Sequence, residues 1–302
     1  MSKSKQNDNG RYFEFLITKQ LHEVHHLQLT ERAKNNQIRD QEKVIEEKTV
    51  GEMIGASSKI IKWLGSELVL NEHSTLDRLP DKDQSDSYHA DISISDSTGK
   101  KVSFSLKHNH DAIFHGRIVS CTNWLGVDNK SSIVINFNQT KKDLFLKLQK
   151  TIPIGTRFAE GGIYNEYRDV WSEFVYELHE AAKQFLIDAC QDEINTQNLF
   201  RIIMGAGSNE FRVLKKNKKV IVQDLRSLLL PTSVKISNTQ KDSDKDARSN
   251  YVWHLVFEFN NGIVIDARNK QDSGLMQLTP QLKSNWKVVD WGNSGMKEKF
   301  LD

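Results

Sequence analysis

The chain has 302 residues, 37% of them hydrophobic and 27% charged, enough to bury on the order of three quarters of its unfolded surface. That balance excludes disordered, collagenous and disulfide-scaffold classes, and no apolar run approaches the roughly 18 residues of a bilayer span. Forty-two Lys and Arg against forty Asp and Glu give +2, which neither demands nor excludes a polyanionic partner, so the clustering of basic residues matters more than their sum.

Residues 1–10 are polar, with no apolar h-region and no small-residue cleavage site, and read as a flexible tail carrying no export signal. The two cysteines, Cys121 and Cys190, suit free thiols and a cytoplasmic location. From Arg11 onward Phe13, Leu16, Ile17, Leu21, Val24 and Leu27 fall on one helical stripe. Thr30 to Glu52 is polar with mixed charge, an exposed helix or a loop, and helical spacing returns with Met53, Ile54, Ile60, Ile61 and Leu64.

Between Tyr88 and Lys107 the period changes to two. Ala90, Ile92 and Ile94, a turn at Asp96-Ser97-Thr98-Gly99, and Val102, Phe104 and Leu106 predict a β-hairpin. Ser132 to Phe137, with Ile133-Val134-Ile135, predicts another strand, and Asp169 to Gln191 a long helix with Phe174, Leu178 and Phe185 on one side. Ser237 to Asn250 reads as a polar connection, and Trp253 to Ala267 around Asn260-Asn261-Gly262 as a second hairpin. The pattern predicts a mixed α/β (α+β) fold, with residues 11–302 as one domain: a catalytic core over 11–195 and a strand-rich recognition subregion over 196–302.

The first hairpin carries the chemistry. With its even positions facing the core, Asp91 and Ser93 share the opposite face with Ser103, Ser105 and Lys107. A carboxylate and an ammonium on one face suit phosphodiester hydrolysis: the first can hold Mg²⁺ against a phosphate, the second can orient the attacking water and offset developing negative charge. Asp91 followed by Ser105-Leu106-Lys107 has the layout of PD-(D/E)XK nucleases, with Ser105 at the usual second-acid position and His89-Ala90 where proline often stands. Glu14, at the margin of the first helical stripe, is the candidate compensating acid.

Around these positions, Gly10-Arg11-Tyr12-Phe13-Glu14 and Ser105-Leu106-Lys107-His108-Asn109-His110-Asp111-Ala112, with His115 and Arg117 beyond, resemble the HaeIII-type restriction endonucleases, a PD-(D/E)XK branch. Asn209-Glu210-Phe211-Arg212-Val213 and the stretch from Trp253 to Trp291 are similar to later segments of that family. The resemblance implies a central mixed sheet flanked by helices and Mg²⁺-dependent cleavage of double-stranded DNA at a short palindrome, GGCC in the best-known members. It also implies a possible homodimer and a cognate DNA methyltransferase. Carried over, Asp91 and Glu14 are metal ligands, Lys107 is the catalytic lysine, and Ser105, His108, Asn109, His110, His115 and Arg117 are candidates for DNA or active-site contacts.

Basic residues extend that list. Lys215, Lys216, Lys218 and Lys219 form a dense run at a predicted hairpin tip and suit a phosphate grip. Arg268, Asn269 and Lys270, just past the second hairpin, are candidate base readers, and Arg201, Arg212, Arg226 and Arg248 could also meet guanine. Two other readings stand beside the nuclease. One is a DNA-binding protein that keeps the scaffold without cleavage. The other is a zinc metallohydrolase built on His22-Glu23-Val24-His25-His26, a formal H-E-x-x-H with Glu46 as third ligand.

Overall fold

Apolar residues three and four apart carry the first part of the chain into helices. α1 (Lys3–His25) buries Phe13, Leu16, Ile17 and Leu21; α2 (Glu31–Gln41) starts at Thr30, whose hydroxyl accepts from Ala33 N; α3 (Glu47–Glu67) buries Met53, Ile60, Trp63 and Leu64. The computed structural model describes residues 3–79, 90–108, 113–114, 116–157, 166–205, 210–216, 218–240, 253–271, 276–278 and 282–302. The flexible tail expected over residues 1–10 is instead helical from Lys3, because Asn9 is buried and Asp8 pairs with Lys43, docking the first turns.

The chain divides into two compact units, each drawn from segments well separated in sequence. The first comprises Met1–Asp111, Gly205–Leu228 and Gly295–Asp302, and the second Ala112–Met204 and Leu229–Ser294.

In the first unit, β1 (Gln28–Leu29), β2 (Thr75–Arg78), β3 (Ile92–Ser95), β4 (Lys101–His108), β5 (Glu210–Lys216), β6 (Lys219–Asp224) and β11 (Lys297–Leu301) form one mixed sheet in the order β1-β2-β3-β4-β5-β6-β11. β3 and β4 make the expected hairpin, with Ile92 opposite Phe104 and Gly99 at φ 86° in the turn. β4 and β5 are parallel and so need a long crossover, which runs from residue 109 to 209. Phe104 and Phe211 meet Trp63 of α3 edge-on, at 6.3 and 5.0 Å between ring centroids. Each such buried aromatic side chain stabilises the fold by about 1.5–3 kcal/mol.

The second unit contains α4 (Ser132–Thr151), α5 (Arg168–Ala189), α6 (Glu193–Met204) and an antiparallel sheet in the order β10-β9-β8-β7. Its strands are β7 (Val234–Gln240), β8 (Trp253–Phe259), β9 (Val264–Gln271) and β10 (Leu282–Asp290). The strand expected over Ser132 to Phe137 is the first turn and a half of α4. Its β-branched run is overridden by a longer pattern: Val134, Phe137, Phe145, Leu148 and Ile152 are buried at helical spacing. The connection expected from Ser237 begins as strand, since β7 runs to Gln240 and pairs with β8, while 241–250 lie outside the described residues. The second hairpin forms as expected, its turn at Gly262 (φ 89°) so close to Gly292 that a side chain on Gly292 would collide with the Gly262 backbone and one on Gly262 would crowd Gly292 and Asn293. Cys121 and Cys190 are free, buried thiols, as read from the sequence.

Candidate active site

The face assignment of the first hairpin holds, but that face is not solvated. Ser93 and Ser103 are cross-strand partners with their hydroxyls 3.1 Å apart, and both, like Ser105, are buried. Asp91 precedes β3, where its backbone N donates to Phe104 O. Its Oδ2 accepts from Leu106 N at 2.6 Å and from the Ser105 hydroxyl at 3.3 Å. The carboxylate thereby takes a β4 edge N–H that lies beyond the last β3 partner, which satisfies that donor and fixes Asp91 against the strand that bears Lys107.

Glu14 of α1 lies near enough to Asp91 for the two charges to repel. Enclosure of its carboxylate, whose side chain is 21% exposed, and repulsion from Asp91 raise it to about 7, while attraction and a hydrogen bond from Arg78 work the other way. Arg78, at the end of β2 and 2% exposed, sends Nη2 to Glu14 Oε2 and places Nη1 2.9 Å from Oδ2 of Asp40. That second contact is an ion pair and not an aligned hydrogen bond. Asp40, fully buried on α2, is also gripped by Arg39 at 2.7 and 2.8 Å. Burial works to raise the Asp40 carboxyl, yet Arg39 and Arg78 outweigh it and hold the group below the usual carboxylate range.

Sequence reading found Glu14 and Asp91 but missed Arg78 and Asp40. Arg78 carried a signal: it shares the inward face of β2 with Leu76, and an inward arginine requires a buried acid. Asp40 carried none beyond standing seven residues after buried Ala33 on a polar helix.

Lys107 is half-buried, two residues along β4 from Ser105 and on its face. His108 points the other way, its ring 6.1 Å from that of Phe13, in register with Lys215 of β5. Burial first and then the Lys215 charge lower His108 to about 4, against an opposing pull from Glu52. Lys215 itself corrects the phosphate-grip reading. It is 1% exposed, with Nζ 2.7 Å from Glu52 of α3, because the inward alternation of β5 places it beneath that helix. Lys216, Lys218 and Lys219 are exposed at the β5–β6 hairpin end.

The remaining candidates fall elsewhere. Asn109, His110, His115 and Arg248 lie outside the described residues. Arg117 is exposed, but it belongs to the second unit, as do Arg201, Arg268, Asn269 and Lys270. Arg268, Asn269 and Lys270 sit within β9 and not past the hairpin, because β9 continues to Gln271 alongside β10. Arg212 is buried within β5 beside Ser105 and Gln223, and Arg226 forks onto Asp224 at 2.8 Å while covering the Phe211 ring. Neither side chain stands out as a base reader.

The H-E-x-x-H pattern does not form a helical ligand pair. α1 ends at His25, His26 has a left-handed backbone (φ 58°), and Nδ1 of His22 lies 2.7 Å from Leu27 O. Glu23 instead makes an exposed pair with Lys19, and Glu46 is an exposed residue at the start of α3. Among the described residues no group of three or more His, Cys, Asp or Glu side chains is arranged to hold a metal ion. The donor set of Glu14 and Asp91, two carboxylates close enough for one to raise the other, fits Mg²⁺, which commonly takes one or two carboxylates and keeps several waters.

No protein-family model, curated protein or solved structure matches the chain.

Proposed function

We propose that the chain is a metal-dependent endonuclease of duplex DNA, a type II restriction enzyme on a PD-(D/E)XK core. The observation that carries this reading is the 2.6 Å hydrogen bond that fixes Asp91 to the β4 segment presenting Lys107, with Glu14 of α1 near enough for the Asp91 charge to act on it. The mixed sheet with helices, and the likeness of residues 10–14 and 105–112 to HaeIII-type enzymes, support it further.

Asp91 and Glu14 would hold Mg²⁺, and that ion would supply charge neutralisation at the scissile phosphate and a more acidic bound water. Asp91, anchored by Leu106 N and Ser105, keeps its carboxylate fixed while substrate enters. Lys107 orients the attacking water and offsets the charge that develops on the phosphate. Lys216, Lys218 and Lys219 offer exposed positive charge for the phosphate backbone. The substrate under this reading is a short palindrome, GGCC by resemblance, met by a homodimer or by two successive nicks, in a cytoplasm where a cognate methyltransferase protects the host sites.

A binder without cleavage is the second reading, favoured by Ser105 in place of the second acid and by the arginine already seated on Glu14. Digestion of unmethylated plasmid or bacteriophage DNA with Mg²⁺, beside EDTA and Lys107→Ala controls, separates the two. Discrete fragments requiring both metal and Lys107 are expected, and sequencing their ends gives the site. Intact DNA from a folded protein that retards duplex on a gel rejects cleavage in favour of the binder.

A further inference from the structure

The buried charges around Glu14 form a chain that runs from helix to strand to helix. Arg78 leaves the end of β2 with its side chain 2% exposed, and its two terminal nitrogens face carboxylates from different helices, Glu14 of α1 and Asp40 of α2. A planar fork can hold two acids at a fixed separation, which a lysine point charge cannot do. Asp40 is itself immobilised by the bidentate Arg39 contact. The order of support is therefore Arg39 to Asp40, Asp40 to Arg78, and Arg78 to Glu14. Glu14 in turn lies near enough to Asp91 for that like charge to act on it.

We infer that Arg78, braced by Asp40, is the positioning residue of the metal site, holding one oxygen of Glu14 so that its carboxylate stays beside Asp91. This inference rests on the nuclease reading, because it gives Glu14 and Asp91 a shared divalent cation. Arg78 acts through Glu14 and touches neither metal nor DNA. Outer groups that orient a metal's carboxylates commonly change affinity by ~10–100-fold when removed. Asp91 has the same kind of anchor in Leu106 N and the Ser105 hydroxyl, so each carboxylate is fixed through one oxygen by a protein donor.

The test is calorimetric titration of Mn²⁺ into the full chain, without DNA, for wild type, Asp91→Asn, Glu14→Gln, Asp40→Asn, Arg78→Lys and the Glu14→Gln/Asp40→Asn double variant. Circular dichroism checks each fold, and Asp40→Asn carries the test where Arg78→Lys does not fold. Wild type is expected to bind and Asp91→Asn to lose binding, with Asp40→Asn and Arg78→Lys weakened ~10–100-fold. In the Glu14→Gln background Asp40→Asn should change affinity less than about two-fold, since the group being positioned is already altered. Unchanged or tighter binding in Arg78→Lys and Asp40→Asn, or full additivity with Glu14→Gln, overturns the positioning role and leaves the metal site standing. Failure of wild-type protein to bind Mn²⁺ overturns both.

Discussion

Both units bury ionisable groups, and they do so with opposite consequences. In the first, a carboxylate, Glu14, is enclosed beside another acid and raised to about 7, so its charge is easily given up. In the second, His179 of α5 is fully enclosed and lowered to about 4, chiefly by burial, with the neighbouring His254 adding to that effect and Asn238 working against it. There the charge balance is local: Asp266 meets Nδ1 of His254 across the β8–β9 hairpin at 2.6 Å, and Glu180 takes Asn238 Nδ2 at 3.0 Å. A buried acid next to an acid is a site that favours a cation, whereas a buried neutral histidine packed on a sheet serves to hold the fold. The contrast directs the search for chemistry to the first unit.

Core substitutions set the upper end of the expected effects and test whether the units melt as separate bodies. Phe104→Ala in the first unit and Trp286→Ala in the second, each of them fully buried, should cost about 3–5 kcal/mol. Urea unfolding followed by residue-specific hydrogen exchange should place each loss in its own unit. A uniform loss across both would show that they unfold together.

Activity comes next in size. On the proposed nuclease reading, Lys107→Ala and Asp91→Asn should each lower the rate of Mg²⁺-dependent DNA cleavage by about 10²–10³-fold, the loss typical of removing one preorganised electrostatic group. His179→Gln should leave cleavage per folded molecule unchanged. Single-turnover rates on a supercoiled plasmid measure all three, and equal losses in His179→Gln would break the division of labour between the units.

Burial of His179 gives the second unit its own share in the acid limb of stability. Folded His179 binds its proton only near pH 4, whereas the unfolded side chain binds it near 6.5. Its contribution is therefore present above pH 6.5 and is lost as pH falls toward 4, by about 3 kcal/mol. Chemical denaturation of wild type and His179→Gln across that window should show the variant with the shallower fall.

The sequence was most legible where a residue's own alternation announced its face. Asp91, Ser105 and Lys107 follow from period two in one hairpin, and Glu14 from its place beside a helical stripe. Lys215 was misread because a run of lysines suggests solvent, while alternation along β5 sends that one member under α3 to meet Glu52. Ser132–Phe137 was misread because three β-branched residues outweighed, over a short window, a period that becomes visible only by Leu148 and Ile152. Asp40 and the division into interleaved units depend on contacts between segments far apart in the chain, which local patterns do not encode.

The smallest expected effect gives the sharpest view of the first unit. Because Glu14 is raised from about 4.5 to about 7, the folded state binds its proton more tightly than the unfolded chain does. Its contribution is fully present below pH 4.5 and is lost as pH rises through 7, the reverse of the His179 trend. His108, also lowered to about 4, opposes it within the same unit, so the Glu14 share is read as the difference between wild type and Glu14→Gln. Glutamine can still accept from Arg78 but carries no charge to repel Asp91. The variant should therefore gain about 1–2 kcal/mol on wild type between pH 4.5 and 7.5, a value reduced for the fifth of the side chain that water reaches. A difference that stays flat with pH would mean that Glu14 is ionised throughout and that Arg78 neutralises it completely. Asp91 would then be the carboxylate of the pair left with net charge to offer a cation.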